Sequence, residues 1–246
     1  MNIIKLDATA STNTYLKNLL TTCDLENFTT IVTENQFAGK GQRGSGWVSE
    51  AGSNLTFSVL LKSNPRSVQG VFDLNIMVAL AVVSALKKIY DLPFFIKWPN
   101  DILSCNKKIC GILIENILKS QGEVFSIVGI GINGNQKQFP EMSKASSLSL
   151  LTGKEINKDE LLQAILKELT VGYSTLTNGA SGAVDTLWEQ YKVHLFRKDV
   201  VSAFEIPQGK RFNGIIRDVT RYGKLVVETE EEARVEFALK EVQLLY

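Results

Sequence analysis

Between Gln36 and Ser58 the chain gathers Gly39, Gly41, Gly44, Gly46 and Gly52 around Lys40, Arg43 and Trp47. Glycines let a backbone turn sharply and approach a ligand closely, and the two cations supply charge for a phosphate or a carboxylate. The segment reads as a loop that closes over an anion. A second group, Lys97-Trp98-Pro99-Asn100-Asp101, is followed closely by Lys107-Lys108 and Gly111. A third, Gly129-Ile130-Gly131-Ile132-Asn133, strips side chains from alternate positions of an apolar run. That pattern brings another backbone or a ligand against one face of a strand.

Several chemistries are excluded by what surrounds these groups. Gly39-x-Gly41-x-x-Gly44 has the spacing of a dinucleotide fingerprint, but that motif must open a helix. Here the glycines lead instead into Leu55, Phe57, Val59 and Leu61 alternating with polar residues, the period of a strand. No Gly-Lys-Ser or Gly-Lys-Thr occurs, and no His-Arg-Asp or Asp-Phe-Gly set of a kinase. The single histidine, His194, has no Gly-x-Ser-x-Gly elbow to serve and reads as structural. Cys23, Cys105 and Cys110 lack metal-ligand spacing. The chemistry is left to lysine, arginine, amides and one carboxylate.

The elements that position these residues can be read from periodicity and punctuation. Asn13 to Thr22 reads as a helix with Ser11 or Thr12 as its cap. Phe72 to Tyr90 reads as a long core helix, and Lys158 to Leu176 and Val184 to Phe196 as two more, joined through Gly179 to Gly182. The runs around Ser104-Cys105-Asn106-Lys107 predict a strand, a tight turn and a second strand, with Pro99 at a strand end. After Arg197 the pattern changes to short alternating runs over Val200 to Phe204, Arg211 to Val219, Lys224 to Glu228 and Val235 to Ala238, the signature of a small barrel. The chain thus divides into two units, residues 1–196 and 197–246. The acidic run Glu228 to Glu232 reads as a solvated hairpin tip.

Composition agrees. With 246 residues, 44% hydrophobic and 22% charged, the chain can bury one sizeable core and a smaller unit. A formal net charge of +1 offers no global field for nucleic acid. No apolar run reaches the roughly 18 residues of a membrane span, and the start has no signal-peptide pattern. A cytoplasmic protein with free thiols is expected.

Taken together, Ser11-Thr12-Asn13, the Gln36 to Ser58 segment, Lys97-Trp98-Pro99-Asn100-Asp101, Lys108 with Gly111, and Gly129-Ile130-Gly131-Ile132-Asn133 resemble the biotin protein ligase family in order and spacing. The resemblance implies an α+β fold: a mixed-sheet biotin/lipoate ligase-like catalytic domain with helices on one side, then a small SH3-like β-barrel. It implies ATP-dependent formation of biotinoyl-5'-AMP and transfer of biotin to a lysine of a biotin carboxyl carrier domain of a carboxylase. ATP and biotin would be substrates, with Mg2+ and no metal held by the protein alone. Lipoate or octanoate transfer on the same fold, or biotin binding without turnover, are the alternatives.

By the same resemblance, Lys108, Arg43 and Asp101 would be catalytic, Asp101 as a base or a magnesium contact. Ser11, Thr12, Asn13, Gln36, Lys40, Gly41, Gln42, Lys108 and Gly111 would bind biotin. Gly39, Lys40, Gln42, Arg43, Trp47, Asn100 and Asn133 would bind ATP or the adenylate. The commoner family loop reads Gly-Arg-Gly-Arg-Arg-Gly, whereas Lys40 and Gln42 stand here for two of its arginines. Ser11-Thr12-Asn13 lies near the start of the sequence, which leaves no room for a helix-turn-helix, and specific DNA binding is not expected. Monomer and homodimer both remain open, and no membrane association is expected.

Overall fold

A computed structural model of the chain describes residues 2–63, 70–119, 122–140, 142–178 and 182–246, the side chains of Arg43, Ser63 and Val71 excepted. Its elements are β1 (Ile3–Thr9), α1 (Thr12–Thr22), β2 (Thr30–Gln36), β3 (Gly39–Lys40), β4 (Gly46–Trp47), β5 (Leu55–Ser63), α2 (Gly70–Ile89), β6 (Phe94–Lys97), β7 (Asp101–Ser104), β8 (Lys107–Leu118) and β9 (Val124–Ile132). After these come α3 (Leu148–Thr152), α4 (Lys158–Asn178), α5 (Ala183–His194), β10 (Val201–Glu205), β11 (Arg211–Val219), β12 (Leu225–Thr229), β13 (Arg234–Phe237) and β14 (Gln243–Leu245).

The larger sheet has the order β1-β2-β5-β9-β8-β7-β6. Its β1–β2 pair is parallel and its other pairs are antiparallel. A parallel pair needs a crossover, and α1 supplies it. That helix begins at Thr12 because Ser11, in extended backbone, accepts from the Thr14 N–H. Strand β7 turns into β8 through Cys105 and Asn106, both at positive φ, the conformation that suits a two-residue hairpin turn.

The two faces of this sheet are covered differently. Phe57, Val59 and Leu61 of β5 join Val128 and Ile130 of β9 in the main core beneath the long helices. There α2 lies between the sheet and its neighbours α4 and α5, so it is buried along most of its length. Truncating a fully buried ring such as Phe57 to alanine would cost about 3–5 kcal/mol. The opposite face carries the short helix α1, whose Leu16 and Leu20 pack on Ile31, Leu60 and Ile127. Beside α1, that face is left open.

Directly paired residues point to one face, so the register places Leu6, Thr33, Thr56, Gly131, Gly111, Asp101 and Lys97 in one transverse row. A neighbouring row reads Ile31, Ser58, Gly129 and Leu113. The missing side chains at 111, 129 and 131 make a trough across the sheet. Lys108 reaches the same face through an irregularity. In a regular strand, positions 108 and 111 would face opposite sides. The β7–β8 register shifts between Ile102 and Leu103, so that Ile109 and Cys110 both enter the core and Lys108 and Gly111 share the open face.

The C-terminal strands form a second, antiparallel sheet in the order β13-β12-β11-β10-β14. Periodicity missed β14 and α3, each too short to show a repeat; α3 is defined by its Ser147 cap and by Gly153, which closes it at φ 71°. Of the connector before α5, residues 179–181 lie outside the described residues, and Gly182 caps the helix at φ 90°. The acidic run is not wholly a solvated tip, because Glu228 lies in β12 and meets Arg217 at 2.9 Å. The Trp98 indole N–H links the two units by donating to the Gly223 carbonyl at 2.9 Å, and at the end of the first unit Phe196 N–H donates to Ile96 of β6.

Candidate active site

The open face holds a cleft lined from α1, β2, β5, β7, β8, β9 and the glycine-rich segment. Its floor is the glycine trough. A Cβ on Gly131 would come within 2.5 Å of the Trp47 ring, and one on Gly111 within 3.0 Å of it. The alternate glycines therefore make room for an indole. Trp47 Nε1 is buried without a hydrogen-bond partner.

Trp47 is delivered by a small hairpin. Strands β3 and β4 pair Gly39 with Trp47 and Lys40 with Gly46, around a 3-10 turn at Gln42–Gly44. Gly41 N–H donates to Ser45 at 2.7 Å. Lys40 Nζ reaches back to Thr14 Oγ1 at 3.1 Å, which ties the hairpin to α1. At Gly39 a Cβ would lie 2.3 Å from the Trp47 carbonyl and 2.6 Å from Gln36 Nε2. Only a residue without a side chain lets these strands close so near Gln36.

The polar wall stands opposite. Thr12 N–H donates to Gln36 Oε1 at 2.9 Å, with the Thr12 hydroxyl 3.2 Å from the same oxygen. Ser58 Oγ lies 2.7 Å from Thr12 Oγ1 and 2.6 Å from Asn13 Oδ1. These are buried groups satisfied by one another, which rigidifies the wall.

At the far end Lys108 Nζ lies 2.7 Å from Asp101 Oδ1 and 5.7 Å from the Trp47 ring centroid. Lys97 Nζ stands on the other side of the same carboxylate, 3.9 Å from Oδ2. Burial lowers the Lys97 ammonium's pKa; Asp101 pulls it back up, and Lys108 and Lys144 add to the lowering. Burial likewise pushes the Cys110 thiol well above its ordinary value, which leaves it inert behind the site. Among the described residues no group of three or more His, Cys, Asp and Glu could hold a metal. One carboxylate, Asp101, already paired with Lys108 and Lys97, does not make a protein cage for a divalent ion.

Most residues singled out from the sequence meet here: Ser11, Thr12, Asn13, Gln36, Lys40, Gly41, Gln42, Trp47, Asn100, Asp101, Lys108 and Gly111 all line the cleft. Two stand behind it. Gly39 lies within the hairpin, paired with Trp47, and Asn133 is buried, with Nδ2 donating to the Ser146 carbonyl at 3.0 Å. The Arg43 side chain lies outside the described residues. Asn100 donates from Nδ2 to the Ile112 carbonyl at 2.5 Å and so braces the β7–β8 pair. His194 lies outside the cleft, its ring between the Gln190 carbonyl and Lys87 Nζ. Sequence reasoning missed Thr56, Ser58 and Glu115. The first two are the polar partners of the β5 alternation, which looks like a solvent face until the register shows it covered.

The fold and cleft define an α+β protein with a cleft on one sheet face, between an amide and hydroxyl wall and a cationic end. Residues 6–135 match the Biotin/lipoate A/B protein ligase family, and the chain belongs to that family. It is 34% identical over 167 residues to the Bifunctional ligase/repressor BirA of Bacillus subtilis, a match covering 66% of this chain and 51% of that protein. The chain spans about half the length of the Bacillus relatives it matches. It is 27% identical over 201 residues to the Biotin--[acetyl-CoA-carboxylase] ligase of Mycobacterium tuberculosis, covering 80% of this chain and 72% of that one. Its fold is similar to the biotin protein ligase from Aquifex aeolicus in complex with biotin and ATP. That structure superposes with a TM-score of 0.80 at 28% identity, over 99% of this chain and 98% of the other. Among the described residues no helix is long and apolar enough to cross a membrane.

Proposed function

We propose that the chain is an ATP-dependent biotin protein ligase that forms biotinoyl-5'-AMP and transfers biotin to a lysine of a biotin carboxyl carrier domain. The observation that carries this reading is the placement of Lys108 against Asp101 at the end of a trough whose other end is a wall of hydroxyls and amides. A molecule with a neutral, hydrogen-bonding head and a carboxylate tail matches both ends. The names of the relatives support the same substrates.

In the first step a biotin carboxylate oxygen attacks the α-phosphorus of ATP, and the bond to the β-phosphate breaks to release pyrophosphate. Two anions must approach, and Lys108 offsets their repulsion where fixed charge is worth most. Ser11, Thr12, Asn13 and Gln36 meet the ureido ring, with Lys40, Gly41, Gln42 and Gly111 along the chain of the ligand. Trp47, Gly39, Gln42, Arg43, Asn100 and Asn133 shape the adenylate side. Asp101 is the residue that would contact a magnesium ion brought in with the nucleotide, and that ion would supply charge neutralisation on the phosphates. In the second step the acceptor amine attacks the acyl carbon, AMP leaves, and Asp101 takes the amine's proton. The hairpin keeps water from the mixed anhydride. We assign this chemistry to residues 1–196, with residues 197–246 as a separate C-terminal unit.

The test is biotin-dependent exchange of pyrophosphate into ATP, with lipoate and octanoate in parallel. Exchange with biotin alone supports the reading. Exchange with an eight-carbon acid would move the protein to acyl transfer, although the polar wall has no use for an alkyl chain. Tight biotin binding without exchange would make it a binding protein.

A further inference from the structure

Asn13 is clamped from three strands, and one of its partners is a carboxylate outside the cleft. Its Nδ2 lies 2.8 Å from Glu115 Oε2 and 3.4 Å from the Leu113 carbonyl, and its Oδ1 lies 2.6 Å from Ser58 Oγ. An ionised carboxylate and a carbonyl are acceptors only, so both neighbours on that side demand a donor. They fix which way round the amide sits. Gly129 provides the space, because a Cβ there would stand 2.4 Å from Asn13 Oδ1.

The consequence passes through two hydroxyls. Ser58 is fully buried and carries one proton, which Asn13 Oδ1 takes. One proton cannot serve both of the acceptors within 2.7 Å of Ser58 Oγ, so with Asn13 holding it the contact to Thr12 falls to the Thr12 proton, drawn from Gln36 Oε1 at 3.2 Å. Gln36 Oε1 keeps the Thr12 backbone N–H at 2.9 Å. Thr12, which lines the cleft, turns a lone pair toward the ligand. Were the Asn13 amide reversed, it would donate to Ser58, Ser58 would donate to Thr12, and the Thr12 proton would be released toward Gln36 or the cleft.

We propose that Glu115 is a positioning residue that orders the proton chain from Thr12 through Ser58 to Asn13, so that the wall presents an acceptor at Thr12 and selects a ligand ring offering an N–H there. The ring it selects is the cyclic urea of biotin, so this inference rests on the function proposed above.

The experiment uses the full chain with Glu115→Gln, Ser58→Ala and the double variant. A neutral amide at 115 lets the Asn13 amide adopt either orientation, whereas Ser58→Ala cuts the chain downstream of it. In the ligand-free protein, the Asn13 side-chain NH2 resonance is expected to shift in Glu115→Gln. Biotin Kd is expected to rise about tenfold, the upper end of what one neutral hydrogen bond contributes, with the KM for ATP unchanged. In the Ser58→Ala background, Glu115→Gln is expected to add less than twofold. A merely structural Glu115 would give additive losses and move both KM values, and that result, or an unmoved Asn13 resonance, overturns the inference. A parent protein that binds no biotin while the Asn13 resonance still responds to Glu115→Gln would overturn the biotin reading and leave the proton order standing.

Discussion

The indole of Trp47 lies on Gly131 so closely that a Cβ at 131 would stand 2.5 Å from the ring. The pairing of Gly39 with Trp47 in the hairpin and of Gly111 with Gly131 in the sheet makes this contact the point where loop and floor meet. A methyl group at 131 is expected to displace the indole and hold the hairpin away from the cleft. Gly131→Ala should lower biotin-dependent exchange about a hundredfold, the cost of misplacing a site element by an ångström, and should shift tryptophan emission to the red. Because the hairpin is peripheral to the core, the melting temperature should change by only about 2–4 °C. Unchanged exchange would mean that this contact does not govern the site.

Lys108 is expected to contribute through charge placed where two anions meet. Lys108→Met should reduce exchange by about 10²–10³, the effect of removing one preorganised electrostatic group. Lys108→Arg should recover only part of this, since a planar fork does not reproduce an ammonium point charge beside Asp101. Steady-state exchange rates at saturating biotin and ATP check both. Equal activity in all three proteins would remove Lys108 from the mechanism.

Lys97 gives a pH dependence of stability. Its folded pKa is depressed, chiefly by burial, below the ordinary 10.5. Between that depressed value and 10.5 the unfolded chain binds more protons, so folding is favoured increasingly as pH rises through the window. Below the depressed value, where the group is charged in both states, its burial costs stability. Asp101 still has Lys108, so Lys97→Met should be at least as stable as the parent at pH 7. The parent should then gain on the variant as pH approaches 10.5. Urea denaturation at pH 7, 9 and 10 measures this; a difference that stays flat with pH contradicts it.

The hairpin turn carries Gln42 and Arg43 where the commoner family loop has two arginines, and Gln42 lines the cleft. We expect Arg43 to provide most of the turn's charge toward the adenylate. Release of biotinoyl-5'-AMP should therefore be faster in Arg43→Ala than in Gln42→Ala, by about tenfold for a lost charged hydrogen bond. Stopped-flow displacement by excess biotin reads both rates. Small and equal effects would shift the assignment to backbone N–H groups.

Sequence by itself determined whatever depends on neighbours within a few residues. Ser11 as a cap, the turn at Cys105 and Asn106, the β5 alternation, the long α2 and the three glycine-bearing clusters were all legible, because capping, turn geometry and period are local physics. The tertiary structure decided what those clusters face. That Thr56 and Ser58 point into a covered site and not into water depends on which strands flank β5. That Lys108 and Gly111 share a face depends on a register shift against β7. That Glu115 governs an amide 102 residues away depends on α1 lying across β2, β5 and β9, so that Asn13 at its start reaches β8. Each is a relation between strands distant in sequence, set by hydrogen-bond register, and register is specified by the packing of the whole sheet and not by any one strand.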